Sequence, residues 1–162
     1  MLIVASNIMI DDFQSISDDD ICRGIVSLDD GVIAISGIAE SGTFVGYYEN
    51  KQLIARAQGV QQKEQRLSVD YLQDILRQGC NVFVNTFLAN ENALGKIGYG
   101  LIQYKQLYIM FFPITHKTDN PPRILVIAAI ANSNTSSMPF HEEDADITYI
   151  IKKVDQFIKN NL

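Results

Sequence analysis

Arg123-Ile-Leu-Val-Ile-Ala-Ala-Ile-Ala131 is apolar at every position after the first, with no alternation of polar and apolar side chains. A strand that is apolar on both pleat faces belongs in the middle of a sheet with helices covering each side. This stretch therefore predicts a layered α/β domain. Pro121 and Pro122 punctuate the loop ahead of it, because proline supplies no ladder donor. Two further strand-like runs precede that loop, Lys96–Tyr104 and Gln106–Pro113. Upstream, Gly31–Ala39 and Thr43–Glu49 are rich in β-branched and aromatic residues and flank the turn residues Glu40-Ser41-Gly42, which predicts an antiparallel hairpin. Gly37 and Gly46 inside these runs predict close approach of whatever packs above them.

Three amphipathic segments supply the helices. Ser17-Asp18-Asp19-Asp20 offers a hydroxyl N-cap followed by carboxylates facing the positive end of a helix dipole, and Ile21, Cys22, Ile25 and Val26 then form one stripe. A longer helix is expected from Gln61 to about Asn90, with Leu67, Tyr71, Leu72, Ile75, Leu76, Gly79, Phe83 and Phe87 on one face. Gly79 in its middle costs about 1 kcal/mol against Ala and predicts close packing against another backbone. The last helix carries Ile147, Ile150, Ile151, Val154, Phe157 and Ile158, with acids first and lysines last along the dipole. The order is α-β-β-α-β-β-β-α, an antiparallel sheet with helices on both faces.

At 162 residues and 47% apolar composition the chain has the size and core of one domain. That domain is read over 17–162, with 1–16 as an apolar N-terminal extension. Thirteen Lys and Arg against nineteen Asp and Glu give a net charge of −6 without a basic cluster, which argues against nucleic acid as a partner. The apolar opening Met1–Ile10 is about half the roughly 20 residues a spanning helix needs, so no membrane partner is expected. Two isolated cysteines and no basic segment before that opening point to a reducing cytoplasm. Asn134-Thr135-Ser136 has the form of a glycosylation acceptor, but that chemistry requires export.

Signatures of chemistry are few. Gly95-Lys96-Ile97-Gly98-Tyr99-Gly100 has the glycines of a phosphate cradle but leads into a strand, whereas a phosphate loop opens a helix; these glycines are read as structural. His116, His141, Cys22 and Cys80 are too scattered for a zinc site, and His141-Glu142-Glu143-Asp144 is read as a helix start. No G-x-S-x-G or S-x-x-K pattern is present and no cysteine falls beside a histidine in a family pattern, so nucleophile, base and orienter cannot all be assigned. The chain is read as a non-enzyme without metal or cofactor.

Particular residues add a resemblance. Ser17, Ile21, Cys22, Ile25, Leu28 and Asp29, then Ile35-Ser36-Gly37-Ile38, Leu94-Gly95-x-Ile97-x-Tyr99 and Asp144-x-Asp146-x-x-x-Ile150-Ile151-x-Lys153 resemble a domain family of unknown function common in ammonia-oxidising archaea. The element order is similar to that of roadblock-type proteins, with their profilin-like fold. The resemblance implies strand order 2-1-5-4-3, the long helix on one face and the other two on the opposite face, with the third strand at an exposed edge. An unpaired edge is a template for another chain, so a homodimer is expected, with third strands paired across a two-fold axis. Leu76, Gly79, Phe83, Phe87, Ile97, Tyr99 and Leu101 form the candidate dimer or partner surface. The implied role is that of a scaffold or a regulator of a small GTPase or signalling complex. The alternative is a small-molecule sensor of profilin or PAS type, which requires an internal apolar pocket of roughly 300 Å³ or more.

Overall fold

The computed structural model describes residues 16–60, 68–115, 121–130 and 140–162, without the side chains of 58–60 and 140–146. The apolar segment Met1–Ile10, Leu67, His116, Asn134-Thr135-Ser136 and the side chain of His141 lie outside the described residues.

The elements are α1 (Asp18–Ser27), β1 (Ile33–Glu40), β2 (Thr43–Glu49), α2 (Lys51–Val60), α3 (Val69–Val82), α4 (Glu91–Leu94), β3 (Gly100–Gln103), β4 (Leu107–Pro113), β5 (Arg123–Ile130) and α5 (Phe140–Asn161). The strands form one sheet in the order β2-β1-β5-β4-β3, with every neighbouring pair antiparallel. The expected fold class and strand order are therefore observed. The apolar run that begins at Arg123 lies at the centre, and β5 is buried from Ile124 to Ala129.

Alternation along β5 splits the core in two. Leu125, Ile127 and Ala129 face the layer containing Ile21, Cys22, Ile25 and Val26 of α1 and Ile147, Ile150 and Val154 of α5. Ile124, Val126 and Ala128 face Leu53 of α2 and Leu72, Leu76 and Cys80 of α3. Ser17 caps α1 as its sequence predicts, its hydroxyl accepting from the Asp20 N–H at 3.1 Å. At the other end of α1, Lys153 Nζ of α5 donates to the Leu28 carbonyl at 3.3 Å, a cation at the negative end of the dipole.

Three expectations need correction. The long helix is not one regular rod: the α-helical part starts after the Ser68 cap and ends at Val82, and a π-helical turn (Phe83–Phe87) and a 3-10 turn (Leu88–Asn90) follow. A separate helix, α2, fills the stretch before it, capped by Asn50, whose Oδ1 accepts from the Leu53 N–H at 3.1 Å. Among its described side chains Leu53 is buried and Ile54 packs beside it in the core layer. The third strand is shorter than Lys96–Tyr104. Gly95 has φ +102°, and the Glu91 carboxylate accepts from the Ile97 N–H at 2.9 Å, holding the chain off the sheet until Gly100.

Candidate functional site

The two ends of the sheet differ. At the β2 end, a Cβ on Gly46 would lie 2.8 Å from the backbone of Asp18, so α1 lies directly on the strand. The Tyr47 N–H donates to Asp19 Oδ1 at 3.0 Å. The Tyr47 hydroxyl donates to Glu49 at 2.9 Å, and burial pushes this phenol above its usual range. Arg123 ties the same corner together: its guanidinium is bonded to Asp18, and its Nε lies 3.7 Å from Glu40.

At the β3 end, Leu101, Ile102 and Tyr104 are exposed, and no charged residue interrupts the run from Gly98 to Tyr104. Between this strand and α3 runs an open, mostly apolar groove of about 680 Å³, bordered by Ile75, Gln78, Gly79, Val82, Phe83, Phe87, Ile97, Tyr99, Gly100, Leu101, Ile102, Tyr104, Ile109 and Phe111. Its floor is a ring stack. Phe83 lies on Phe111 with centroids 5.3 Å apart and planes 14° from parallel. Two glycines make room for that stack. A Cβ on Gly79 would meet the Phe111 ring at 2.9 Å, and one on Gly100 would meet the Phe83 ring at 2.8 Å. Gly79 thus packs closely, but against an aromatic ring and not against the second backbone its sequence suggests. Phe87 stands 53% exposed at the rim, its ring 6.1 Å from that of Phe83, and Leu94 just beyond is 85% exposed.

Six of the seven residues expected at a partner surface, Gly79, Phe83, Phe87, Ile97, Tyr99 and Leu101, border this one groove. Leu76 does not: it is fully buried in the core beneath α3, where no partner can touch it. Strand pairing separates the rest further. Leu101 lies opposite Met110 and the Tyr99 ring is 6.0 Å from Phe112, and both of those neighbours belong to the α1–α5 core layer. These two side chains therefore belong to the other pleat face and border the groove only from the strand's open side. Sequence reading missed Ile102, Tyr104 and Phe111. Alternation along β3 was the available signal for Ile102, but it required the β3–β4 register.

A second hollow of about 380 Å³ lies against the β1–β2 turn, among Ser41, Gly42, Cys80, Asn81, Asn85 and Pro122. Both cysteines are free and buried, and burial pushes the thiols up to about 11 (Cys22) and about 12 (Cys80), so neither is a nucleophile at neutral pH. Among the described residues no group of three His, Cys, Asp or Glu is placed to hold a metal ion, and no helix is long and apolar enough to cross a membrane.

No known family's sequence profile matches the chain, and no curated protein does. Solved structures with a similar arrangement include a roadblock/LC7 domain from Streptomyces avermitilis, 10% identical with a TM-score of 0.46, covering 87% of this chain and 97% of that one. An MglB with tetrameric arrangement is 8% identical with a TM-score of 0.45, covering 90% of each chain. The gliding protein MglB from Thermus thermophilus is 7% identical with a TM-score of 0.43, covering 88% of this chain and 89% of that one. At such scores the similarity adds nothing to what the chain's own sheet order establishes.

Proposed function

We propose that this protein is a non-enzymatic interaction module, a cytoplasmic homodimer joined through the β3 edge and the groove beside α3. The observation that carries this reading is the pairing of an uncharged, apolar, unprotected edge strand with an adjoining apolar groove. Monomeric proteins blunt such edges with short strands, charge, proline, bulges or a covering element; β3 is short but carries no charge, and among the described residues nothing on it matches the Asp19 carboxylate that covers the Tyr47 N–H on β2. Exposed apolar surfaces of this kind are found at protein contacts and at ligand grooves, and the adjoining unpaired strand edge favours the former. The two free, buried cysteines support a reducing compartment. The dimer would present α3 and a continuous sheet to a further protein, and the roadblock-type order of its elements makes a small GTPase or a signalling complex the partner class to try first.

The sensor alternative calls for an enclosed pocket between sheet and helix. The space beside α3 is an open groove at the sheet's edge, which supports the interaction module instead. Light scattering over a hundredfold concentration range tests the proposal. Dimer mass is expected for the native chain and monomer mass for Ile102→Lys; a native chain that stays monomeric throughout contradicts it.

A further inference from the structure

The hollow against the β1–β2 turn has a makeup unlike that of the groove. Asn81 and Asn85 stand one helical turn apart on one side of it, the β1–β2 turn lies opposite, and the space between is about 380 Å³. Its floor is apolar: Ala39 and Ile124, register partners across β1 and β5, and the Cys80 thiol, all buried. Its rim is amide and hydroxyl. The Asn81 carboxamide lies against Gly42, with Oδ1 3.6 Å and Nδ2 3.8 Å from where a Cβ would stand. No residue bordering the hollow carries a charge. It shares no bordering residue with the groove beside β3, so it stands apart from the dimer reading.

Two local departures mark the same place. Ser41 holds φ +52°, a left-handed conformation uncommon for residues other than glycine. The α-helix gives way to a π-helical turn at Phe83, and Val84 and Asn85 of that turn border the hollow; such turns recur at functional sites. Neither asparagine serves the helix. Asn is a weak helix former. Asn90 and Asn161 donate to the carbonyl four residues back, whereas the side chains of Asn81 and Asn85 have no hydrogen-bond partner among the described residues.

The lining restricts what can enter. A charged ligand would be desolvated with no opposite charge to pair. A wholly apolar one would strip water from the Asn81 carboxamide and leave it unpaired. What remains is an uncharged molecule with an apolar face for the floor and a donor beside an acceptor on its edge. A carboxamide offers that same pair and is matched by two bonds at once, as asparagine matches the edge of adenine. The volume of about 380 Å³ falls near the lower end of the roughly 300–1,000 Å³ of small-molecule sites. We propose that this hollow binds an uncharged planar ring of the nucleobase type, its edge bonded to the carboxamides of Asn81 and Asn85 and its face on Ala39 and Ile124.

The test is a titration of the full-length protein, followed by two-dimensional amide NMR, with uracil, adenine, glucose, benzoate and toluene as probes. Saturable shifts at Gly42, Val84 and Asn85 are expected with uracil or adenine, at concentrations where the other three give none. Asn85 is exposed, so Asn85→Leu keeps the fold. It should weaken base binding about tenfold or more, and Asn81→Ala likewise, while Val82→Ala on the groove flank leaves binding unchanged. No saturable shift with either base overturns the proposal, as does binding of glucose, benzoate or toluene at least as tightly, or base binding that survives both asparagine variants. Light scattering on the same samples reports the dimer separately: a monomer that binds uracil through these asparagines refutes the dimer and leaves this site intact.

Discussion

The two edges of this sheet meet the same physical problem in opposite ways. On β2, the first turn of α1 lies against Gly46, and the Asp19 carboxylate accepts from the Tyr47 N–H, so the chain occupies its own edge. On β3, apolar side chains flank backbone groups that no described residue covers, and an apolar groove runs alongside. Edge strands are a liability unless managed. Where one edge has an amide covered by the chain's own helix and the other has none, the uncovered one is the edge the proposed dimer would use.

Variants that act on one edge and spare the other probe this contrast. The largest loss is expected from Phe83→Ala, which removes the groove floor and opens a cavity against Phe111: about 3–5 kcal/mol, measured by urea unfolding. Gly46→Ala drives a methyl into the backbone of Asp18 and lifts α1 from β2. A loss of about 1–3 kcal/mol is expected with oligomer mass unchanged. Asp19→Ala strips the cover from the Tyr47 N–H and should cost about 1 kcal/mol, with faster amide exchange at Tyr47. Ile102→Lys places charge on a 43% exposed position; the isolated fold should stay within about 0.5 kcal/mol of native in dilute solution, while self-association is lost.

The smallest effect at ordinary pH comes from the thiols, one in each core layer. Burial raises Cys22 to about 11 and Cys80 to about 12 from the ordinary value of 9.0. Between these values the folded state holds protons that the unfolded chain has released. Their contribution is therefore intact below pH 9 and falls as pH rises through about 11 and then about 12. Denaturation midpoints of the native chain and of Cys80→Ala should converge above pH 9; parallel curves would show that the buried thiol does not sense the fold.

Much of this architecture was legible in the chain. The apolar run of β5 indicated two helical layers, the Ser17 cap located α1, and the turn residues located the β1–β2 hairpin. What escaped was set by tertiary contact. The helix Lys51–Val60 is started by the Asn50 cap, whose amide also donates to the Asp30 carbonyl at 2.9 Å, a contact 20 positions away. The π-helical turn at Phe83–Phe87 has no local signature that separates it from an α-helical continuation, although Val84, Asn85 and Thr86 are weak helix formers. At the site, helical periodicity put Leu76 on the same stripe as Phe83. Only the packing reveals that the stripe rolls from core at Leu76 to rim at Phe87. The protection of β2 depends on Asp19 reaching a residue 28 positions away, which no local pattern encodes.

Amide hydrogen exchange at the two edges, followed residue by residue across protein concentration, tests the contrast most directly. The Tyr104 N–H donates to the Leu107 carbonyl, so alternation along β3 aims the Leu101 and Gln103 amides at the open edge. The Tyr47 amide should exchange slowly at every concentration, while those of Leu101 and Gln103 should pass from fast to slow as mass rises from the 18.1 kDa of one chain to about twice that value. Leu101 and Gln103 amides that exchange at the rate of free peptide in the most concentrated sample would contradict the assignment of β3 as the assembly edge.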